Sequence, residues 1–407
     1  MATARKKTLR QKIKAVFHQV HLWGGLVSGI VVLVVAVTGA LFVFEEEGRE
    51  LLQHQYYHVA DMGGERLPVA QLVDSFRVHF PKQKIASIRF KEKRDAAFIF
   101  FTKDKLVSVN PYTGAVTGVR NLNADFFTVV QKIHTELYMG AVGKEIVRWN
   151  VLIFFIMCIS GLVIWWPKQK RFFRQAVRIN FKAKTWKRVN WDLHSVLGFY
   201  AVFVLLIISS TGLFWMFDTA KSFVGFVTQS PVAKEEKLKL KTKVVHGSRY
   251  SLNEAYRYAS TVYPGATETF ITPAPDSTAP IRVLMRYPYT IVRRQNTLFF
   301  NQYTGQVLRQ DLYANYTAYD KVARSNYDFH TGRIRALGIG SKIVYFLAAL
   351  MAASLPVTGF LIWWGKRKKP AVRKRSGSPG RSIPRTVKTD DLYVETSFQK
   401  RIPEAGG

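Results

Sequence analysis

Four uncharged apolar runs, at 22–44, 149–167, 195–217 and 343–365, decide most of what this chain can fold into. Each is close to the roughly 20 residues that a helix needs to cross about 30 Å of hydrocarbon. The second is the shortest and is expected to start earlier, with Lys144 and Arg148 reaching back to the interface. Glycines inside the runs suit spanning helices, because small residues recur where such helices pack. The first run follows basic residues, as a secretory h-region does. It is too long for one and runs into Glu45-Glu46-Glu47 with no Ala-x-Ala site, so it reads as a retained span.

Charge orients the spans. Residues 1–20 carry six Lys/Arg and no acids, and residues 168–188 carry nine and no acids. A third basic segment opens with Lys366-Arg367-Lys368-Lys369. All three fall on one side of a four-span chain, which the positive-inside rule makes the cytoplasm of a bacterial inner-membrane protein. The formal net charge of +33 is then a topology signal and an attraction to anionic membrane lipids. No nucleic-acid-binding motif accompanies it, so nucleic acid is not an expected partner. Cys158, the only cysteine, excludes intrachain disulfides and a cysteine-ligated iron–sulfur cluster, and reads as a small buried side chain.

The chain is written twice. His21-x-x-x-Gly25 is followed by Thr38-Gly39, and His194-x-x-x-Gly198 by Thr211-Gly212, with 17 residues from histidine to threonine in both. Each half then carries a helical pattern (68–80; 252–262), three β-rich runs (85–90, 96–101, 106–109; 268–271, 281–287, 297–300) and a Tyr-Thr-Gly turn (112–114; 303–305). Each closes on a histidine, His134 or His330, and a span ending in Trp-Trp. The expected fold is an α-helical integral membrane protein with four transmembrane helices in two parallel repeats, each repeat carrying a small periplasmic α+β module. The boundaries read as a basic N-terminus (1–20), span 1 (21–44), module 1 (45–133), a histidine region with span 2 (134–166) and a basic loop (167–190). Span 3 (191–217), module 2 (218–329), a histidine region with span 4 (330–364) and a basic, disordered tail (365–407) follow.

Topology sorts four histidines into pairs. His21 and His194 begin outward-going spans and lie at the cytoplasmic end; His134 and His330 precede inward-going spans and lie at the periplasmic end. Ionisable groups near a membrane core are rare and functional by default, and neutral imidazole is a good axial ligand of haem iron. The reading is two haems, one per pair, with Gly25 and Gly198 leaving clearance for the macrocycle. His18, one turn before His21, is the alternative ligand. His54, His58, His79 and His246 fall in the modules with no metal-ligand grouping and read as surface residues.

These features together resemble the PepSY-associated transmembrane-helix family. The likeness is carried by His21-Leu22-Trp23-Gly24-Gly25 with Thr38-Gly39-Ala40, by both Tyr-Thr-Gly turns, by the His134 and His330 regions with their Trp-Trp endings, and by Asp192-Leu193-His194-Ser195-Val196-Leu197-Gly198. It spans about residues 12 to 369 and is similar to inner-membrane ferric-siderophore reductases of the FoxB kind. The resemblance implies PepSY-like periplasmic modules, a four-helix membrane core, b-type haem on His21, His134, His194 and His330, and a part in iron uptake.

The expectation that follows is an oxidoreductase passing electrons through the two haems to a ferric-siderophore in the periplasm. A cytoplasmic flavoprotein or a quinol would donate, since the chain has no GxGxxG or P-loop, and a periplasmic siderophore-uptake partner would assist. Tyr287, Tyr289, Arg293 and Arg294 are the expected substrate face, against a plain reading as strand and turn residues. Glu45-Glu46-Glu47 reads as an exposed helix-end acid cluster. Two other classes compete: a non-enzymatic PepSY-type anchored protein that binds or regulates a protease or uptake partner, and a small-molecule transporter. The spans lack the acidic or basic interiors of a coupled transporter.

Overall fold

The computed structural model describes residues 8–167, 169–230, 232, 242 and 249–367. The basic residues 1–7, Lys168, His246 and the tail from 368 to 407 lie outside the described residues. The apolar runs lie within four long helices: α1 (Leu9–Val43), α6 (Gly140–Trp165), α8 (Trp186–Met216) and α12 (Gly338–Arg367). All four are long and apolar enough to cross a membrane. The helix α1 begins well before its apolar run because Thr8 caps it reciprocally with Gln11. Leu137, Tyr138 and Gly140 adopt positive φ and separate α5 (Phe126–Glu136) from α6.

The four long helices close into a ring in which α1 and α8 each pack on both α6 and α12. Thus α1 faces α8 across one diagonal. The middle of the bundle is filled by Cys158, Ala201, Val202, Leu205, Ala348 and Ala352; the alanines and the cysteine let backbones approach closely where no hydrophobic effect drives association.

After α1 come the short α2 (Glu45–Leu52) and α3 (His54–Tyr57), then α4 (Val69–His79) and strands β1 (Ser87–Lys91), β2 (Phe98–Phe101), β3 (Lys105–Val109) and β4 (Val116–Asn121), then α5. A short α7 (Phe173–Ala176) lies between α6 and α8. The second half repeats the plan with α9 (Asp218–Val227), α10 (Leu252–Val262), β5 (Glu268–Thr272), β6 (Ile281–Arg286), β7 (Gln295–Phe300), β8 (Val307–Asp311) and α11 (Ala318–Thr331).

Each module therefore has four strands, one more than its apolar pattern predicts. The fourth follows the Tyr-Thr-Gly turn, where Thr117, Gly118 and Arg120, or Arg309 and Gln310, break the alternation. In the turns Asn110 and Asn301 accept from the backbone N–H of Tyr112 and Tyr303 at 2.8 and 2.9 Å, and Gly114 and Gly305 supply the positive φ.

The two modules are not separate. Strand β1 pairs antiparallel with β5, Ile88 opposite Ile271, which fuses both into one eight-stranded sheet of order β4-β3-β2-β1-β5-β6-β7-β8. One face carries a single core drawn from both halves: Ile88, Phe90, Phe100, Ile271, Val283, Met285, Leu298 and Phe300, covered by Leu72 and Phe76 of α4 and Ala255 and Ala259 of α10. Phe76 stacks on Phe100 with ring centres 5.1 Å apart.

Candidate functional site: histidine pairs and an arginine-bearing sheet face

The fold brings the four histidines together two by two. His21 of α1 and His194 of α8 meet across the bundle diagonal, ring centres 6.2 Å apart and planes at 84°. His134 and His330 stand not on the spans but on the amphipathic helices α5 and α11, their ring centres 6.0 Å apart at 69°. His18 is exposed. Gly25 lies against Met157 and Gly198 against Leu355.

Every one of the four rings has Nδ1 engaged. Ser160 Oγ lies 3.0 Å from that of His21 and Thr358 Oγ1 2.9 Å from that of His194. His134 Nδ1 reaches Val35 O at 2.9 Å and Thr38 Oγ1 at 3.3 Å, and His330 reaches Thr211 Oγ1 at 2.9 Å and Ile208 O at 3.1 Å. Fixing one imidazole nitrogen selects the tautomer and leaves Nε2 as the available donor atom. Among the described residues no hydrogen bond engages Nε2 of any of the four.

The hydroxyl is followed by glycine every time. A Cβ on Gly161, Gly39 or Gly359 would stand 3.0, 3.0 or 3.2 Å from the Cε1 of His21, His134 or His194, and one on Gly212 3.8 Å from that of His330. The eight residues Thr38-Gly39, Ser160-Gly161, Thr211-Gly212 and Thr358-Gly359 thus seat the rings. The sequence carried the signal, one Ser/Thr-Gly step per span, but as a mark of duplication without a role.

The helices bearing His134 and His330 are anchored by buried acids. Asp125, 1% exposed, caps α5 through Thr128 and accepts from Arg49 at 3.0 and 2.8 Å and from Gln53 at 2.9 Å. Asp328 of α11 accepts from Arg293 Nε at 2.9 Å and from the Tyr289 hydroxyl at 3.1 Å. Tyr287 donates to Tyr263 O at 2.9 Å, and Arg294, exposed, lies 5.3 Å over the Tyr313 ring. The acid run after α1 is spent on the other half of the chain. Arg333 binds Glu45 and Glu46 at 2.9 and 3.0 Å, and Lys342 binds Glu46 and Glu47 at 3.0 and 2.7 Å. Burial alone would raise the Glu46 pKa, but the Arg333 and Lys342 charges outweigh it and hold it at about 2.

The sheet face turned away from α4 and α10 is polar at its centre. Glu268 accepts from Arg89 Nε at 2.6 Å and from Arg286 Nη1 at 2.7 Å, and both guanidiniums lie over Phe270, at 5.3 and 4.6 Å. Arg282 stands two residues from Leu284 on this same face, and among the described residues its guanidinium has no ion pair. Burial and then the neighbouring Arg324 push its pKa below the usual arginine range. Arg286 Nε is buried without a partner. Two guanidiniums thus share one carboxylate near the seam between the modules, and Arg282, further along β6 beside Arg324 and Asp311, adds to the positive charge of this face.

One further cluster lies on module 1. Glu50, His54 and His58 offer three ligand atoms within 4.8 Å of one another. The expectation that His54 and His58 have no metal-ligand grouping is therefore corrected; their i, i+4, i+8 spacing with Glu50 is the signal that was available.

A family model described as the PepSY-associated TM region matches residues 18–366. The chain belongs to that family. No curated protein matches it. Membership in the PepSY-associated TM region family is membership in a class of membrane-anchored modules, and it corrects the expectation of an enzyme. The three-residue metal-ligating group among the described residues sits on module 1 rather than at the membrane pairs. The assignments of oxidoreductase, ferric reductase, electron transport and siderophore-dependent iron uptake are withdrawn. The family description names neither haem nor iron, so neither is a finding about this chain.

Proposed function

We propose that this PepSY-associated TM protein is a non-enzymatic, membrane-anchored binding protein, whose fused modules take an acidic segment of a protease or uptake partner. The observation that carries the reading is the arginine-bearing face of the sheet. The Nε of Arg286 is buried without a protein acceptor, and the half-buried Arg282 pairs with no carboxylate among the described residues; such groups cost free energy until an anion meets them. Phe270 between the guanidiniums offers apolar area beside the charge. The basic flanks of the spans support a cytoplasmic N-terminus and loop, and with them a periplasmic sheet in a bacterial inner-membrane protein. The test is fluorescence anisotropy of a labelled Asp/Glu decapeptide on the detergent-solubilised chain. Arg282→Glu is expected to weaken binding by about tenfold or more, the scale of one lost charge-assisted contact. Equal affinity for the acidic peptide and an uncharged one would sink the proposal.

A second reading is favoured by the imidazole pairs: each holds one b-type haem, His21 with His194 and His134 with His330. The donor set fits, with two neutral imidazoles per site whose Nδ1 is already committed. A metal–imidazole bond of about 2 Å added to the ring radius, twice over, comes close to the 6.2 and 6.0 Å separations of the ring centres. Two imidazoles on one haem would leave its iron no open position for a substrate, which agrees with a binding protein. Ser160, Thr358, Thr38 and Thr211 would orient the ligands, and the glycines beside them would admit the rings. Pyridine-haemochrome quantification on protein from haem-replete cells checks it. Two haems per chain are expected for the wild type and one for His134→Ala. Haem-free wild-type protein would exclude the reading.

A further inference from the structure

We propose that Glu50, His54 and His58 form a zinc site that staples α2 to module 1, with Asp95 orienting one of the ligands. The cluster lies where the chain turns from the membrane into the first module. Gln53 breaks the helix between α2 and α3 at φ −132° and ψ 22°, so Glu50 is the last acid of one helix and His54 the first residue of the next. His54 and His58 are one turn apart, and their rings stack with centres 4.1 Å apart and planes within 8°. That arrangement presents two imidazole edges side by side, as pairs four residues apart on zinc-binding helices do.

His58 is held from both ends. Its Nδ1 lies 2.7 Å from Asp95 Oδ2 and its Nε2 2.6 Å from Glu50 Oε1. A ring facing carboxylates at both nitrogens donates from each only as the imidazolium. Zinc at the Nε2 position displaces that proton, and Asp95 remains on Nδ1, which is the carboxylate–histidine–metal arrangement of most zinc-bound imidazoles. The three candidate atoms now span up to 4.8 Å. Tetrahedral zinc with bonds of about 2.0–2.2 Å holds its ligand atoms roughly 3.4 Å apart, so Glu50 and His58 must part slightly while His54 turns in. Glu50 and His54 are exposed and can do so by rotamer change.

The donor chemistry selects the metal. Two imidazoles and one carboxylate suit a borderline first-row ion; calcium and magnesium prefer all-oxygen sites. Three protein ligands leave the fourth tetrahedral position to water. The consequence is mechanical. Asp95 belongs to the β1–β2 connection, where Val59 N donates to Asp95 O at 2.9 Å and His58 bridges to Ala96. An ion shared by Glu50 and His58 ties that connection to α2, whose other end holds Arg333 and Lys342 through Glu45–Glu47. Zinc would thus set how firmly the module is docked on the membrane helices.

The experiment is equilibrium binding of Zn²⁺ to metal-stripped full-length protein in detergent, in competition with a chromophoric chelator. Amide exchange over residues 50–58 is followed in parallel. One zinc per chain is expected beyond that bound by the His54→Ala/His58→Ala double variant, with slowed exchange on binding. Asp95→Asn is expected to weaken affinity by about 10–100-fold. Glu50→Gln repeats the comparison without touching the stacked rings, should the double variant misfold. Equal zinc stoichiometry in the wild type and Glu50→Gln, or displacement of zinc by millimolar Ca²⁺, would overturn the proposal.

Discussion

Replacing Asp125 with alanine is expected to destabilise the first half of the chain by about 3–5 kcal/mol, the cost of stripping one partner from a buried ion pair. The carboxylate is 1% exposed and receives Arg49 at both oxygens, while Arg120, itself 7% exposed, approaches to 3.6 Å. Without it the guanidinium of Arg49 loses its bidentate acceptor, and α5 loses the cap that Thr128 N and Oγ1 satisfy. Because α5 carries His134, the loss is expected to appear as accelerated amide exchange over residues 126–136 together with a lowered melting temperature. Asp125→Asn keeps the shape and one acceptor and is expected to lose less. A change below about 1 kcal/mol for the alanine variant would mean the pair is solvated and the anchor idle.

The same anchors give a pH dependence. Burial pushes the Asp125 pKa up, but its hydrogen bonds from Arg49, Gln53 and Thr128 prevail and hold it well below 3.8. Glu46 is held at about 2 against 4.5. Both folded-state values are depressed, so the stabilisation is complete above the ordinary carboxylate values and is lost as pH falls below about 4. A melting-temperature profile that is flat from pH 7 to 5 and declines below 4 is expected. A decline beginning near pH 6 would point to a histidine instead.

Ile88→Ala carries the second large effect, about 2–5 kcal/mol for an aliphatic side chain truncated to alanine in a close-packed core. Ile88 is fully buried on β1, between Phe100 of β2 and Ile271 of β5. Its loss opens a cavity at the seam, so exchange protection should fall in β5–β7 of module 2 as well as in β1–β3. Protection lost in module 1 alone would show two independent cores and contradict the fused sheet.

Much of this architecture was legible in the residues. The four spans declare themselves by length and lack of charge, and duplication follows from the repeated His-x-x-x-Gly and Trp-Trp steps. The fourth strand of each module was hidden, because Gly118, Arg120 and Gln310 interrupt a period-two pattern on an edge that buries little. The β1–β5 pairing was hidden too: Ser-Ile-Arg-Phe-Lys and Glu-Thr-Phe-Ile-Thr each read as ordinary half-buried strands, and nothing local says that they are partners. The four histidines stood out, but the Ser/Thr-Gly seats did not, since a small residue in a span has a packing explanation already. Tyr289 and Arg293, read as a substrate face, are engaged with Asp328 of α11. That acid is buried, about 35 residues downstream of Arg293, and only the fold brings it near.

Whether the arginine-bearing face receives an acidic partner segment is read by a photo-crosslinking residue at position 282 in native membranes. Position 77, on the exposed side of α4, serves as the control on the opposite face of the sheet. A discrete adduct at 282 that is absent at 77, and that an Asp/Glu decapeptide competes away, is the expected result. Adducts of equal yield at both positions, or an adduct at 282 that the acidic peptide leaves unchanged, would contradict the account.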